Sequence, residues 1–164
     1  MKKLLCTLAM LALLTASAFA AQEWAVQKYT LKNGLTLLTL EDASTPALSF
    51  QVWYHVGSKN ERPGITGISH LFEHMMFKGS KNFADGEHDR LIQGSGGMLN
   101  AYTSNDMTVY HQEIGKDMLE TIARLEADRM QYLTITDKQL TSERQVVLEL
   151  AFEFVADSGQ LGRQ

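Results

Sequence analysis

His70, Glu73 and His74 fall within five consecutive residues, His70-Leu71-Phe72-Glu73-His74, and their types and spacing define a metal chemistry. On a helix, residues four apart share one face one turn apart, so two imidazole nitrogens can meet a single zinc ion. Glu73 then places a carboxylate beside that ion, free to take a proton from an attacking water. Two neutral nitrogen ligands, one unligated base and an open coordination position are what metal-assisted peptide hydrolysis requires.

These residues need a helix to hold them and a sheet to back that helix. The motif helix is expected over about residues 67–77, with Ile68, Leu71, Phe72, Met75 and Met76 as its apolar complement. Before it, Leu48, Phe50, Val52, Tyr54 and Val56 alternate with Gln51, Trp53 and His55, the pattern of a half-buried strand. Earlier still, strands over 26–31 and 35–40 flank Asn33-Gly34, a two-residue hairpin signal. After the motif, a short helix over 86–93 is stopped by Gly94-Ser95-Gly96-Gly97. Strands over 98–103 and 107–114 follow, and then helices over 116–132 and 137–156. The expected class is α+β, with an antiparallel or mixed sheet packed with helices.

The start of the chain has a different purpose. Met1-Lys2-Lys3 is basic, residues 4–14 are an apolar run, and Ala18-Phe19-Ala20 supplies small residues for cleavage before Ala21. Residues 1–20 therefore read as a secretory signal peptide and 21–164 as the working part. The run is too short for a membrane span, and no later stretch is long enough. Export is expected, with the bacterial periplasm as destination and no membrane attachment after cleavage. Cleavage removes Cys6, the sole cysteine, which leaves metal binding to histidine and carboxylate. It also removes Lys2 and Lys3, making the net charge of −4 two units more negative. An acidic chain without basic clusters is a poor nucleic-acid binder.

The remaining candidates carry less. His55 faces away from the apolar side of its strand, and His88 and His111 have no ligand spacing. The glycine cluster at 94–97 lacks the Lys-Ser/Thr of a phosphate loop. Glu120, Glu126 and Asp128 with Arg124 and Arg129 read as the solvated, salt-bridged side of a helix. Most methionines beyond the leader sit at apolar positions and are expected in the core.

From Gln27 to Glu149 the chain resembles the N-terminal lobe of the insulinase/pitrilysin-type zinc metallopeptidases, the H-x-x-E-H inverzincins that include the mitochondrial processing peptidase. Six blocks in order carry the resemblance: Leu31-Lys32-Asn33-Gly34-Leu35, Gly57-Ser58-Lys59-Asn60-Glu61, the motif from Gly67 to Gly79, Gly96 to Ser104, Leu125 to Met130, and Glu143 to Glu149. The resemblance implies that His70 and His74 bind zinc, that Glu73 is the general base, and that Glu143 orients a ligand histidine. It implies that Asn100 and Ala101 lie on an edge strand that pairs with the substrate main chain. It also implies a partial, truncated lobe, with a second homologous lobe or subunit as partner and peptides or small proteins as substrates.

The family places its third ligand, a glutamate, seven residues after the position of Glu143, and this chain has Leu150 there. Glu149 and Glu153 are the neighbouring carboxylates that could replace it. Two readings follow: a zinc-dependent endopeptidase lobe, or a catalytically inactive fragment or partner lobe with weak or no zinc binding.

Overall fold

Alternation decides the central sheet. In β3 (Ala47–Tyr54), Leu48, Phe50, Val52 and Tyr54 are half-buried while Ser49, Gln51 and Trp53 are exposed, the period-two pattern of a strand with one covered face. The strand ends before His55 and Val56, which are exposed. It pairs antiparallel with β5 (Thr108–Gly115), which pairs on its other side with β4 (Met98–Thr103). The sheet order is β3-β5-β4. The sequence therefore reaches β5 last and buries it in the middle, where Val109, Tyr110, Gln112 and Ile114 are inaccessible. The computed structural model describes residues 24–161, and side chains as far as residue 151. The expected leader and its cleavage site, and the side chain of Glu153, lie outside the described residues.

The described residues divide into two compact units, one ending at Thr45 and the other beginning at Pro46. In the first, β1 (Gln27–Thr30) and β2 (Thr36–Thr39) form an antiparallel hairpin, Thr30 opposite Thr36. The turn differs from the expected two-residue loop. The Leu31 carbonyl accepts the Gly34 N–H at 2.9 Å, and the Leu31 N–H donates to the Leu35 carbonyl at 2.8 Å, so three residues make the loop. Gly34 alone takes a left-handed conformation, with φ +88°. A two-residue type I′ turn would need positive φ at Asn33 as well; a turn closed by one left-handed glycine does not.

Among the described residues, the second unit holds the three-stranded sheet and four α-helices: α1 (Ile68–Met75), α2 (Glu87–Gly94), α3 (Leu119–Tyr132) and α4 (Asp137–Leu161). The architecture is α+β, as the patterning predicts, with both described sheets antiparallel. Ile92 of α2, Ile114 of β5, and Ile122 and Leu125 of α3 form the apolar core, with Leu48, Phe50 and Leu99 packed against it. Met75 is also buried, whereas Met98 and Met130 are exposed, so the methionines do not all enter the core.

α3 corrects one expectation. Its Glu120–Arg124 pair is on the surface at 2.6 Å, as a solvated face requires. Glu126, Asp128 and Arg129 are buried. The Arg129 guanidinium donates to Glu126 through Nε at 2.9 Å and Nη2 at 2.6 Å, and stacks over the Tyr110 ring at 4.2 Å. Gln112 of the central strand also donates to Glu126. Asp128 accepts hydrogen bonds from the Ser80 hydroxyl and from the Asn82 side chain, pinning the loop that follows α1. A pattern of alternating charges looks the same whether water or partners on other elements satisfy it; only the fold supplies those partners.

Gly57 fixes a second loop. A side chain there would meet the Ser104 carbonyl oxygen at 2.2 Å. Its absence lets Ser58 N–H and Lys59 N–H donate to the Ser104 and Asn105 carbonyls at 3.1 and 3.0 Å. The 57–60 turn is thereby stitched to the β4–β5 turn.

Candidate metal centre

Glu61 starts the motif helix. Its carboxylate accepts the N–H of Gly67 at 2.8 Å and of Ser69 at 2.9 Å, two of the donors that a helix start leaves without partners. Burial raises the Glu61 pKa, but these hydrogen bonds outweigh it and the group lies below the ordinary glutamate value. Gly67, at φ +89°, makes the sharp entry.

One turn into α1, His70 and His74 face each other. Their Nε2 atoms are 3.2 Å apart, with ring planes at 77°. Zinc–nitrogen bonds of about 2.05 Å in a tetrahedral site would place two ligand nitrogens about 3.3 Å apart. The pair therefore fits two positions of a zinc site. His74 Nδ1 lies 3.2 Å from a Glu143 oxygen on α4. That contact puts the proton on Nδ1 and leaves the Nε2 lone pair free. The other Glu143 oxygen receives Lys78 Nζ at 2.8 Å. Burial alone would push the Glu143 carboxyl up; Lys78 and His74 together hold it below the usual range.

Glu73 is buried and accepts a hydrogen bond from the Thr103 hydroxyl at the end of β4. It lines an open groove of about 310 Å³ together with His74, Lys78, Asn100, Ala101 and Glu143. Five of the residues singled out from sequence thus meet at one groove. Asn100 and Ala101 lie on the side of the sheet where β4 has no further strand among the described residues. The Asn100 side chain accepts the Ala101 N–H at 2.8 Å. Glu149 and Leu150 are exposed on α4, and no group of three histidines or carboxylates gathers as a metal site among the described residues.

Thr103, Lys78 and Glu61 enter the site without having been singled out from sequence. All three lie inside the resembling blocks, but only the fold turns them toward Glu73, Glu143 and the helix start. Thr103 sits two residues from Ala101 and so shares its face of the strand, which is the signal that could have found it.

The model of the family described as insulinase (peptidase family M16) matches residues 36–158. The chain belongs to the insulinase family. It is 38% identical over 124 residues to the zinc protease PqqE of Helicobacter pylori, an alignment covering 75% of this chain and 28% of that protein. It is 32% identical to the beta subunit of the mitochondrial-processing peptidase of Blastocladiella emersonii, over 75% of this chain and 26% of that one. The crystal structure of a protease from Helicobacter pylori superposes with a TM-score of 0.74 at 37% identity, over 77% of this chain and 30% of that chain. The chain thus spans less than a third of the length of these insulinase relatives.

Proposed function

We propose that this chain carries the metal-binding half-site of a zinc-dependent endopeptidase acting on peptides or small proteins. The observation that carries the reading is the pair of Nε2 atoms 3.2 Å apart beside the buried carboxylate of Glu73. His70 and His74 would hold the ion, and Glu143 would keep the His74 ring turned toward it through Nδ1. Bound zinc polarises a carbonyl and makes water more acidic. Glu73 takes the proton of the attacking water and returns it to the leaving amine. The edge of β4 at Asn100 and Ala101, which pairs with no further strand among the described residues, aligns the peptide main chain, which suits an enzyme that accepts many sequences.

The partner is a second homologous lobe or subunit that covers the groove. Relatives named as subunits support this, among them the mitochondrial-processing peptidase subunit beta and the cytochrome b-c1 complex subunit 1 of Rattus norvegicus, 34% identical. Residues 1–20 act as a leader for export to the periplasm and 21–164 as the partial lobe. N-terminal sequencing of the exported product should start at Ala21; a retained Met1 would sink this part.

A second reading is favoured by Leu150 and by the absence of a three-ligand cluster among the described residues. In it the chain is a partner lobe or fragment that binds zinc weakly or not at all and cleaves nothing. Glu73→Gln separates the two. In the first reading it abolishes hydrolysis of a fluorogenic peptide while zinc binding persists. Lost zinc binding would make Glu73 a ligand and overturn the assigned roles. An unsubstituted, zinc-supplemented chain without hydrolysis, alone and with a complementary lobe, would decide for the second.

A further inference from the structure

We propose that Thr103 is a positioning residue that fixes the Glu73 carboxylate, so that the strand which aligns the peptide also aims the base. The proposal rests on the reading of Glu73 as general base given above.

The geometry is local and over-determined. Leu99, Ala101 and Thr103 alternate along β4 and are half-buried, while Met98, Asn100 and Tyr102 are exposed. Leu99 packs against the apolar core, Ala101 lines the groove, and the Thr103 hydroxyl donates to Glu73 Oε2. Thr103 pairs directly with Thr108 on β5, and the two hydroxyl oxygens are 3.4 Å apart. Thr108 gives its own hydroxyl proton to the Val56 carbonyl at 3.0 Å. Each threonine has one hydroxyl proton. Thr108 spends its proton on Val56, so the Thr103 proton is left for the carboxylate.

The anchor behind this hydroxyl is firm. Val56 precedes Gly57, whose close packing against Ser104 joins the end of β3 to the residue after Thr103. A carboxylate on a helix has three side-chain torsions to fix, and a charge-assisted hydrogen bond from a rigid strand removes much of that freedom. A base misplaced by about 1 Å can cost a hundredfold in rate, so the tether acts on turnover and not on substrate affinity.

Two measurements on the full chain test this. In urea unfolding without added metal, Thr103→Val and Glu73→Ala each lower the midpoint, and the double variant lowers it no further than the larger single. Additive shifts would overturn the tether, whatever the activity. In zinc-supplemented hydrolysis of a fluorogenic peptide, with the complementary lobe if one is needed, Thr103→Val lowers kcat by about tenfold to a hundredfold with KM unchanged. Thr103→Ser, which keeps the hydroxyl, retains most of kcat. Unchanged kcat in Thr103→Val, or a change confined to KM, would overturn the positioning role. Coupled midpoints in a chain that hydrolyses nothing would support the tether and count against the peptidase reading instead.

Discussion

Glu143 bridges the end of α1 and the loop beyond it: one oxygen lies 3.2 Å from His74 Nδ1 and the other 2.8 Å from Lys78 Nζ. The carboxylate is buried, so neither contact is easily replaced by water. It therefore restrains both the tilt of the His74 ring and the side on which the ring carries its proton.

Loss of this bridge should weaken the metal site without removing a ligand. Glu143→Ala is expected to lower zinc affinity by about tenfold to a hundredfold, the usual cost of losing a partner behind a ligand histidine. Lys78→Met should cost less, because His74 keeps its acceptor. Competition against a zinc chelator measures both. An affinity unchanged by Glu143→Ala would show that the ring is held by something else.

Leu150 follows Glu143 by seven residues on α4, which at 3.6 residues per turn returns to within about 20° of the same face. Leu150→Glu should therefore raise zinc affinity clearly. Hydrolysis should stay near background, because a repaired ligand set does not enclose a peptide or exclude water around it. Chelator competition and a fluorogenic peptide report the two halves of this expectation. Strong cleavage by the single variant alone would show that enclosure matters little.

Glu126 and Arg129 are both almost wholly inaccessible and hydrogen-bonded to each other. Removing one strands the other. Arg129→Leu is expected to destabilise the chain by about 3–5 kcal/mol, whereas the double variant with Glu126→Leu should recover part of that loss. Urea midpoints of the two variants decide it. Equal loss in single and double would mean that the stacking of Arg129 on Tyr110 outweighs the ion pair.

His88 is buried on α2, and burial together with the nearby Arg129 charge lowers its pKa from 6.5 to about 4. The folded chain keeps it neutral while the unfolded chain protonates it near pH 6.5. Its neutral form thus costs nothing above pH 6.5, and stability is lost as pH falls toward 4, below which the loss levels off. Between pH 7.5 and 5 this component is about 2 kcal/mol. His88→Gln should lack it, as seen by comparing urea unfolding of the two proteins at both pH values without metal. An identical pH dependence would show that His88 does not carry the effect.

The fold was legible wherever one period ruled. Alternation in 47–54 placed β3, and the histidine pair placed α1, because each pattern has one physical cause. The α3 charges and the Asn33-Gly34 turn are ambiguous in the sequence for related reasons. Alternating charge does not reveal whether Ser80, Asn82 and Gln112 will come to meet Asp128 and Glu126 from other elements. A turn dipeptide does not say how many of its residues take positive φ. At the site, residue types with metal chemistry were visible, whereas Thr103 and Lys78 were not. A threonine and a lysine acquire their roles only from what the fold sets within hydrogen-bond reach.

The motif helix is fastened at both ends. Glu61 grips its first turn. Beyond its last, Lys81 N–H reaches the Tyr132 carbonyl at 3.0 Å and Thr134 N–H the Gly79 carbonyl at 3.1 Å, with Asp128 gripping Ser80 and Asn82 between them. A rod clamped in this way can neither slide along its axis nor turn about it to suit a visitor. The spacing of the two imidazoles is therefore a gauge set by the scaffold. An ion of another size must be met by rotation about the χ angles of His70 and His74 alone, at a cost the backbone does not share.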